Sequence, residues 1–168
     1  MDIFQSVLLT IATASTPLLL AAIGELVVER SGVLNLGVEG MMVIGAVCAF
    51  AAAYLTGNPW IGALAGIVAG AVLSLLFGVL ALSFATNQVA TGLSLTLLGI
   101  GLSGMIGENF VGRAGERLPN LDIPVLTDIP LIGRLIFGQD PLFYVSIALT
   151  AAVTWFLFRT RTGLTLRA

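Results

Sequence analysis

The residues of this chain that could do chemistry are concentrated in one stretch, residues 24–45, which reads GELVVERSGVLNLGVEGMMVIG. Its polar members stand inside sequence that is otherwise almost continuously apolar, and they include Glu25, Glu29, Arg30, Asn35 and Glu39. A charge near the centre of a bilayer costs ~2.5 to 3.5 kcal/mol on insertion scales, so such groups should face a cavity or the interface. Because polar groups inside a membrane bundle mark pathways more often than catalysis, this stretch is the first candidate for a translocation path.

A second polar pair, Asn87 and Gln88, interrupts the apolar sequence between two later hydrophobic runs. We predict a candidate translocation path that includes Asn35, Glu39, Asn87 and Gln88. A simpler interpretation stays open for each pair. Asn35 and Glu39 can lie in the cytoplasmic headgroup layer, with Asn35 capping the following helix, and Asn87 and Gln88 can form a short turn between helices.

The residue inventory argues against catalysis. The chain has no histidine, one thiol at Cys48 and no helix-borne pair of aspartates, which excludes the common intramembrane zinc and aspartyl protease sites. It also has no lysine, so it cannot carry a phosphate loop of the G-x-x-x-x-G-K-[ST] type and cannot hydrolyse ATP itself. We therefore predict that the chain is not an enzyme and holds no cofactor and no metal.

Composition places the chain in a bilayer. Hydrophobic residues make up 58% of the sequence and charged residues 10%, whereas a soluble domain is about 25% charged. The net charge of −2 and the absence of lysine argue against binding to nucleic acid. The chain begins MDIFQSVLL without a basic segment, so we expect the first apolar run to be a retained helix rather than a cleaved signal peptide.

Apolar runs long enough for helices define the predicted fold, which is an all-α integral membrane bundle with about five transmembrane helices. These runs are Ile3–Val28, Met41–Leu55, Trp60–Phe84, Val89–Ile106 and Leu142–Phe158. We predict a single transmembrane region over residues 1–168. In the third run, small residues recur at every fourth position, at Gly62, Gly66, Gly70, Ser74 and Gly78, and this row predicts close packing of another helix.

Local signals predict several helix ends and side-chain bonds. Arg30, Ser31 and Gly32 are typical of a helix C-terminus, because glycine readily adopts the left-handed cap. Asn58 followed by Pro59 is typical of a helix N-terminus. We expect the hydroxyls at positions 91, 94 and 96 to bond back to carbonyls of their own helix. An alternative for residues 24–40 is a re-entrant hairpin, which would change the number of crossings.

The only extended hydrophilic region is residues 108–141, which hold eight of the sixteen charged residues and four of the six prolines. Such a segment cannot span a membrane. The C-terminal sequence carries Arg159, Arg161 and Arg167 without an acidic residue, so the positive-inside rule places that end in the cytoplasm. Counting back through five crossings makes residues 108–141 an extracytoplasmic loop and places residues 29–39 inside.

The stretch GELVVERSGVLNLGVEGMM, followed by TNQVATG, LDIPVLTDIPLIG and RTRTGLTLRA, resembles the permease subunits of bacterial ABC importers for nucleosides or simple sugars. These permeases fall within the larger branched-chain amino acid and ribose permease family. The resemblance covers nearly the whole chain in the same order. It implies a multi-pass protein of the bacterial cell (inner) membrane that pairs with a second related permease and with two ABC ATPase subunits. An extracytoplasmic substrate-binding protein would deliver substrate, with residues 108–141 as its contact.

This sequence departs from the family pattern in two places. Family members have a basic residue before the TNQVATG-like stretch, where this chain reads Ser83-Phe84-Ala85-Thr86. Family members also continue beyond the RTGLTLRA motif into further helices, so we expect this chain to be the N-terminal part of a longer permease and to be inactive alone. Composition by itself equally permits a subunit of a secondary transporter or channel, or a membrane scaffold that does not transport.

Overall fold

The structure is a computed structural model that describes residues 3–115, 118–119 and 138–167. Five helices in these ranges are long and apolar enough to cross a membrane, which confirms the predicted all-α membrane fold. They are α1 (Ile3–Arg30), α2 (Val38–Thr56), α3 (Pro59–Gly78), α4 (Gln88–Gly107) and α5 (Pro141–Arg159), and a short helix α6 (Arg161–Arg167) follows.

The predicted helix ends lie where the sequence placed them. Helix α1 ends at Arg30, and Gly32 has a φ of +80°, the left-handed conformation that glycine adopts without a steric penalty. Asn58 caps α3, since its side-chain oxygen accepts a hydrogen bond from the amide of Trp60 at 3.0 Å, and Pro59 is the first helical residue. The N-terminus of α3 and the C-terminus of α1 are therefore encoded locally.

Residues 31–37 connect two long helices. Residues 24–30 belong to α1, and residues 38–40 belong to α2. This leaves too little chain for the two arms of a separate hairpin, so the re-entrant alternative for residues 24–40 is wrong. Both flanking helices continue far enough to cross a bilayer.

The chain divides into two compact units, and the first consists of residues 1–31 and 118–168. Within it, α1 packs against α5, and α6 folds back onto the end of α5. Leu157 of α5 is only 1% exposed, and Gly163 of α6 lies so close to it that a Cβ there would be 2.8 Å from the Leu157 Cα. Glycine is thus required where α6 contacts α5.

The second unit, residues 32–117, is built around α2, which packs against both α3 and α4. The predicted row of small residues on α3 makes the first of these contacts. A Cβ on Gly62 would lie 2.6 Å from the Ala49 carbonyl oxygen, and one on Gly66 would lie 2.9 Å from the Gly45 oxygen. The first half of the row therefore packs as predicted, whereas Gly78, at its far end, has nothing within 4 Å.

The buried core of the second unit joins its three long helices. It consists of Ile44, Leu73, Phe77, Ala81 and Leu95. This core lies toward the C-terminal end of α3 and the N-terminal half of α4, where α3 continues as a π-helical segment, Val79–Ser83. The same end of the unit carries the polar residues described below.

The far end of the second unit is closed by an aromatic contact. A 3₁₀ turn, Glu108–Phe110, follows α4 and sets the Phe110 ring edge-on to Tyr54 of α2, with centroids 5.8 Å apart. Arg113 then donates a hydrogen bond to the Tyr54 hydroxyl at 3.2 Å. The start of the predicted outer loop is thereby anchored to α2. Most of that loop, residues 116–117 and 120–137, lies outside the described residues.

Candidate functional site

The loop of residues 31–37 lies against α4, and loop backbone groups make its hydrogen bonds to that helix. The Leu34 amide donates to the side-chain oxygen of Gln88 at 2.8 Å, and the Thr96 hydroxyl donates to the Leu36 carbonyl at 2.9 Å. These two α4 residues are eight positions apart, or about 12 Å along the helix at 1.5 Å per residue. The loop is therefore attached to α4 at two separated points.

Glycines allow the loop and the start of α2 to approach α4 this closely. A Cβ on Gly92 would lie 2.7 Å from the Leu36 amide nitrogen, and a Cβ on Gly99 would lie 2.5 Å from the Gly40 carbonyl oxygen. Both distances are well inside ordinary van der Waals contact, so no side chain fits at either position. We call the four α4 residues that make these contacts the loop-binding face: Gln88, Gly92, Thr96 and Gly99.

Asn35 and Glu39, the first two predicted path residues, lie in different surroundings. Asn35 is only 6% exposed, and its side-chain oxygen accepts a hydrogen bond from the Gly37 amide at 2.9 Å. Gly37 itself is the N-cap of α2, so Asn35 stabilises the turn before the helix rather than capping it. Glu39 is exposed in the first turn of α2, where a carboxylate is favourable to the helix dipole.

Asn87 and Gln88, the other two, are adjacent in sequence but have separate roles. Asn87 is the N-cap of α4, because its side-chain oxygen accepts from the Ala90 amide at 3.2 Å. Gln88 belongs to the loop-binding face. The structure thus brings Asn35 and Gln88 to the same loop, and it places Asn87 on a different face of α4.

The three hydroxyls of α4 divide in the same way. Thr91 donates to the Asn87 carbonyl and Ser94 to the Ala90 carbonyl, both at 2.8 Å, as predicted for hydroxyls bonded within a helix. The prediction for Thr96 was wrong, since its hydroxyl bonds to the loop. The α4 glycines let the loop approach closely, so the Leu36 carbonyl comes within reach of the Thr96 hydroxyl. The hydroxyl then uses this carbonyl as its acceptor in place of a carbonyl of its own helix.

A groove lies between the C-terminal end of α3 and the N-terminal half of α4. Its volume is about 520 Å³, within the ~300 to 1,000 Å³ of most small-molecule sites. Four of its nine lining residues are leucines, and none of the described residues that line it is charged. Its polar members are Thr86, Asn87, Thr91 and Ser94. Of the predicted path residues, only Asn87 lines this groove.

The connection between α3 and α4 forms one edge of the groove and has unusual backbone geometry. It begins with the π-helical segment, a conformation often found at functional sites, and Ala85 has a φ of +49°. A left-handed non-glycine residue costs ~1 to 3 kcal/mol. Thr86 stabilises this turn, because its hydroxyl donates to the Leu80 carbonyl at 2.8 Å and lies 2.8 Å from the Thr91 hydroxyl.

Sequence reasoning assigned no path role to Thr86, Thr91 or Ser94. The sequence did contain a signal for Thr91 and Ser94, because positions 87, 91 and 94 are all polar and have the spacing of one helix face. For metal binding, no group of three or more His, Cys, Asp or Glu residues comes together in the described part of the chain.

These features define a class of protein. The chain is a multi-pass α-helical membrane protein in which glycines of α4 let a polar loop pack closely and a groove of about 520 Å³ lies beside them. It belongs to the family described as branched-chain amino acid transport system / permease component, whose model matches residues 7–168.

Curated relatives agree with this assignment. The chain is 41% identical to a putative glucose ABC transporter permease protein of Haloferax volcanii, over 90% of this chain and 47% of that protein. It is 35% identical to a guanosine ABC transporter permease protein of Bacillus subtilis, over 100% of this chain and 57% of that one. A nucleoside ABC transporter permease protein of Lactococcus lactis is 32% identical, over 92% and 52%. The chain thus spans about half the length of these relatives, and no solved structure matches it significantly.

Proposed function

We propose that the chain forms part of the translocation path of an ABC importer for nucleosides or simple sugars. The observation that supports this most directly is the family match over residues 7–168, together with relatives named as glucose, guanosine and nucleoside permeases. In this proposal the chain is not an enzyme. Its sequence has no lysine for an ATP-binding phosphate loop, so partner ATPase subunits supply the energy.

The proposed assembly has three kinds of partner in a bilayer. They are ABC ATPase subunits, a second related permease and an extracytoplasmic substrate-binding protein. The proposed location is the bacterial cell (inner) membrane. The arginines at positions 159, 161 and 167 support a cytoplasmic C-terminal end by the positive-inside rule. With five crossings, residues 108–141 then form the extracytoplasmic loop that contacts the binding protein.

Within this assembly, we assign Asn35, Glu39, Asn87 and Gln88 to the cytoplasmic end of the path. Their contacts support a division of roles. Asn35 and Gln88 position the loop of residues 31–37, while Asn87 lines the groove. Glu39 is exposed at the start of α2 and supplies a negative charge beside that loop.

The proposal is tested by uptake in cells that carry the gene encoding this sequence. Uptake of labelled guanosine and glucose is measured in wild-type cells, in a deletion strain and in a strain whose partner ATPase has lost its phosphate-loop lysine. We expect at least one solute to enter wild-type cells only. Uptake that survives loss of the ATPase but collapses with a protonophore would instead identify a secondary transporter. Unchanged uptake in the deletion strain would favour a scaffold.

A further inference from the structure

We propose that the groove between α3 and α4 binds the transported solute, and that this solute is neutral and rich in hydroxyl groups. The inference rests on the proposed function and adds a site to it. It assigns direct contacts with the solute to Asn87, Thr91 and Ser94, which lie on one face of α4.

The hydrogen-bonding capacity of these three side chains suits a hydroxylated solute. The Asn87 oxygen accepts the capping bond from Ala90, and its amide nitrogen has no partner among the described residues, so it can donate. When the Ser94 hydroxyl donates to its helix carbonyl, its oxygen still has lone pairs and can accept. The Thr91 hydroxyl is also 2.8 Å from the Thr86 hydroxyl, and its oxygen keeps at least one lone pair that can accept. A sugar or ribose hydroxyl both donates and accepts, and it can therefore pair with either kind of group.

The rest of the lining excludes charged solutes and favours an apolar surface on the ligand. Four leucines and Ala90 form the apolar part of the lining, and no charged residue is present among the described lining residues. An ion here would lose hydration without gaining a partner charge among these residues. Sugars and nucleosides carry both features, an apolar ring face or base and a set of hydroxyls.

The groove and the loop-binding face occupy neighbouring faces of α4. Asn87, Thr91 and Ser94 precede the members of the loop-binding face by one or two positions, and one residue corresponds to about 100° around a helix. The loop therefore leaves the groove uncovered. Helix α4 can hold the loop on one face and contact a solute on the next.

A lipid chain is a weaker occupant than a solute. An acyl chain would contact the leucines but would leave the amide nitrogen of Asn87 without a partner. The Thr91 and Ser94 hydroxyls would keep only their bonds within the protein. A polar group that is removed from water without a partner is destabilised. The polar stripe along α4 therefore favours a ligand with its own donors and acceptors.

Protection from thiol labelling tests the site in membranes that contain the whole transporter. Cys48 is the only cysteine of this sequence, so Cys48→Ala provides the background within it, and labelling is read on the peptide that carries the introduced cysteine. Ser94→Cys is the probe, and Ser103→Cys, which does not line the groove, is the control. We expect guanosine or glucose at ten times its dissociation constant to slow maleimide labelling of Ser94→Cys about tenfold by mass action. Labelling of Ser103→Cys should not change.

Uptake kinetics of Thr91 variants test the same site independently. Thr91→Val removes one hydrogen bond at nearly constant volume, and we expect KM to rise about 3- to 10-fold. Thr91→Ser keeps the hydroxyl and should leave KM within about twofold of wild type. A merely structural role for Thr91 would lower the amount of folded protein, and hence the maximal rate, without changing KM.

The outcomes separate this inference from the proposed function. If wild-type cells take up solute but Ser94→Cys gains no protection and Thr91→Val keeps its KM, the groove is not the solute site, although the importer function stands. Ser94→Cys could instead resist labelling both with and without solute and become labelled once lipid is stripped. That result would show a lipid in the groove and would also overturn the inference. Absence of uptake in wild-type cells would instead refute the proposed function.

Discussion

The contact between Gly40 and Gly99 allows the packing of α2 against α4 to be tested by a single methyl group. In Gly99→Ala, the new Cβ would lie 2.5 Å from the Gly40 carbonyl oxygen and 2.7 Å from its Cα. Ordinary contacts begin near 3.4 Å, so the two backbones must separate by roughly 1 Å. Backbone atoms on both sides leave no flexible side chain that could move away.

The expected magnitude follows from two opposing terms. Overpacking of this kind costs ~1 to 3 kcal/mol, while alanine is favoured over glycine within a helix by ~0.8 to 1.0 kcal/mol. Gly101→Ala, two residues further along α4, is the matched control because a Cβ there would meet nothing within 4 Å. The control has only the favourable term, so the two variants should differ in unfolding free energy by about 1 to 3 kcal/mol.

The assay is thermal unfolding of the full chain in detergent, followed by circular dichroism. For a chain of this size, 1 kcal/mol corresponds to about 2 to 4 °C in Tm. We expect Gly101→Ala to melt at or slightly above the wild-type Tm and Gly99→Ala to melt about 2 to 12 °C below Gly101→Ala. If Gly99→Ala is as stable as Gly101→Ala, the close approach of α2 and α4 is not present in the protein.

Three further predictions concern the remaining contacts of the second unit. Gln88→Ala should lower the unfolding free energy by about 0.5 to 1.5 kcal/mol, because the Leu34 amide loses its acceptor. Gln88→Glu keeps an acceptor oxygen and should be closer to wild type in the same melt. Thr96→Val should cost a similar ~1 kcal/mol and Thr96→Ser much less, and equal melting temperatures would mean that the hydroxyl does not hold the loop. Gly66→Leu should disrupt the packing of α3 on α2, measured as loss of folded protein by size-exclusion chromatography, whereas Gly78→Ala has open space and should be tolerated.

The loop-binding face connects the polar stretch near residue 35 to the half of α4 that lines the groove. The loop is bonded to α4 at two points and is followed directly by α2, so the start of α2 and the N-terminal half of α4 should move together. The groove lies on the neighbouring face of that same half of α4. Measuring both the melting temperature and uptake of Gln88→Ala would test whether loss of the loop contact also affects the groove.

The sequence by itself determined the five membrane-length helices of the described residues, most of their ends and the family. These properties depend on local signals, since a helix needs only an apolar run of sufficient length and suitable residues at its ends. Asn58 and Gly32 show this well. The first bonds the amide two residues ahead, and the second needs only its own left-handed backbone. The row beginning at Gly62 also predicted close packing, although it did not identify α2 as the partner.

Only the tertiary structure decided which polar groups meet. Gln88 and Thr96 bond to loop atoms more than fifty residues away, so no spacing within α4 indicates their partners. Asn87 and Gln88 are neighbours in sequence, yet one lines the groove and the other holds the loop, because successive helical residues point about 100° apart. The groove lies between residues of α3, the connection after it and α4, and α2 packs against both helices through backbone contacts such as that of Gly40 with Gly99, which no local pattern specifies.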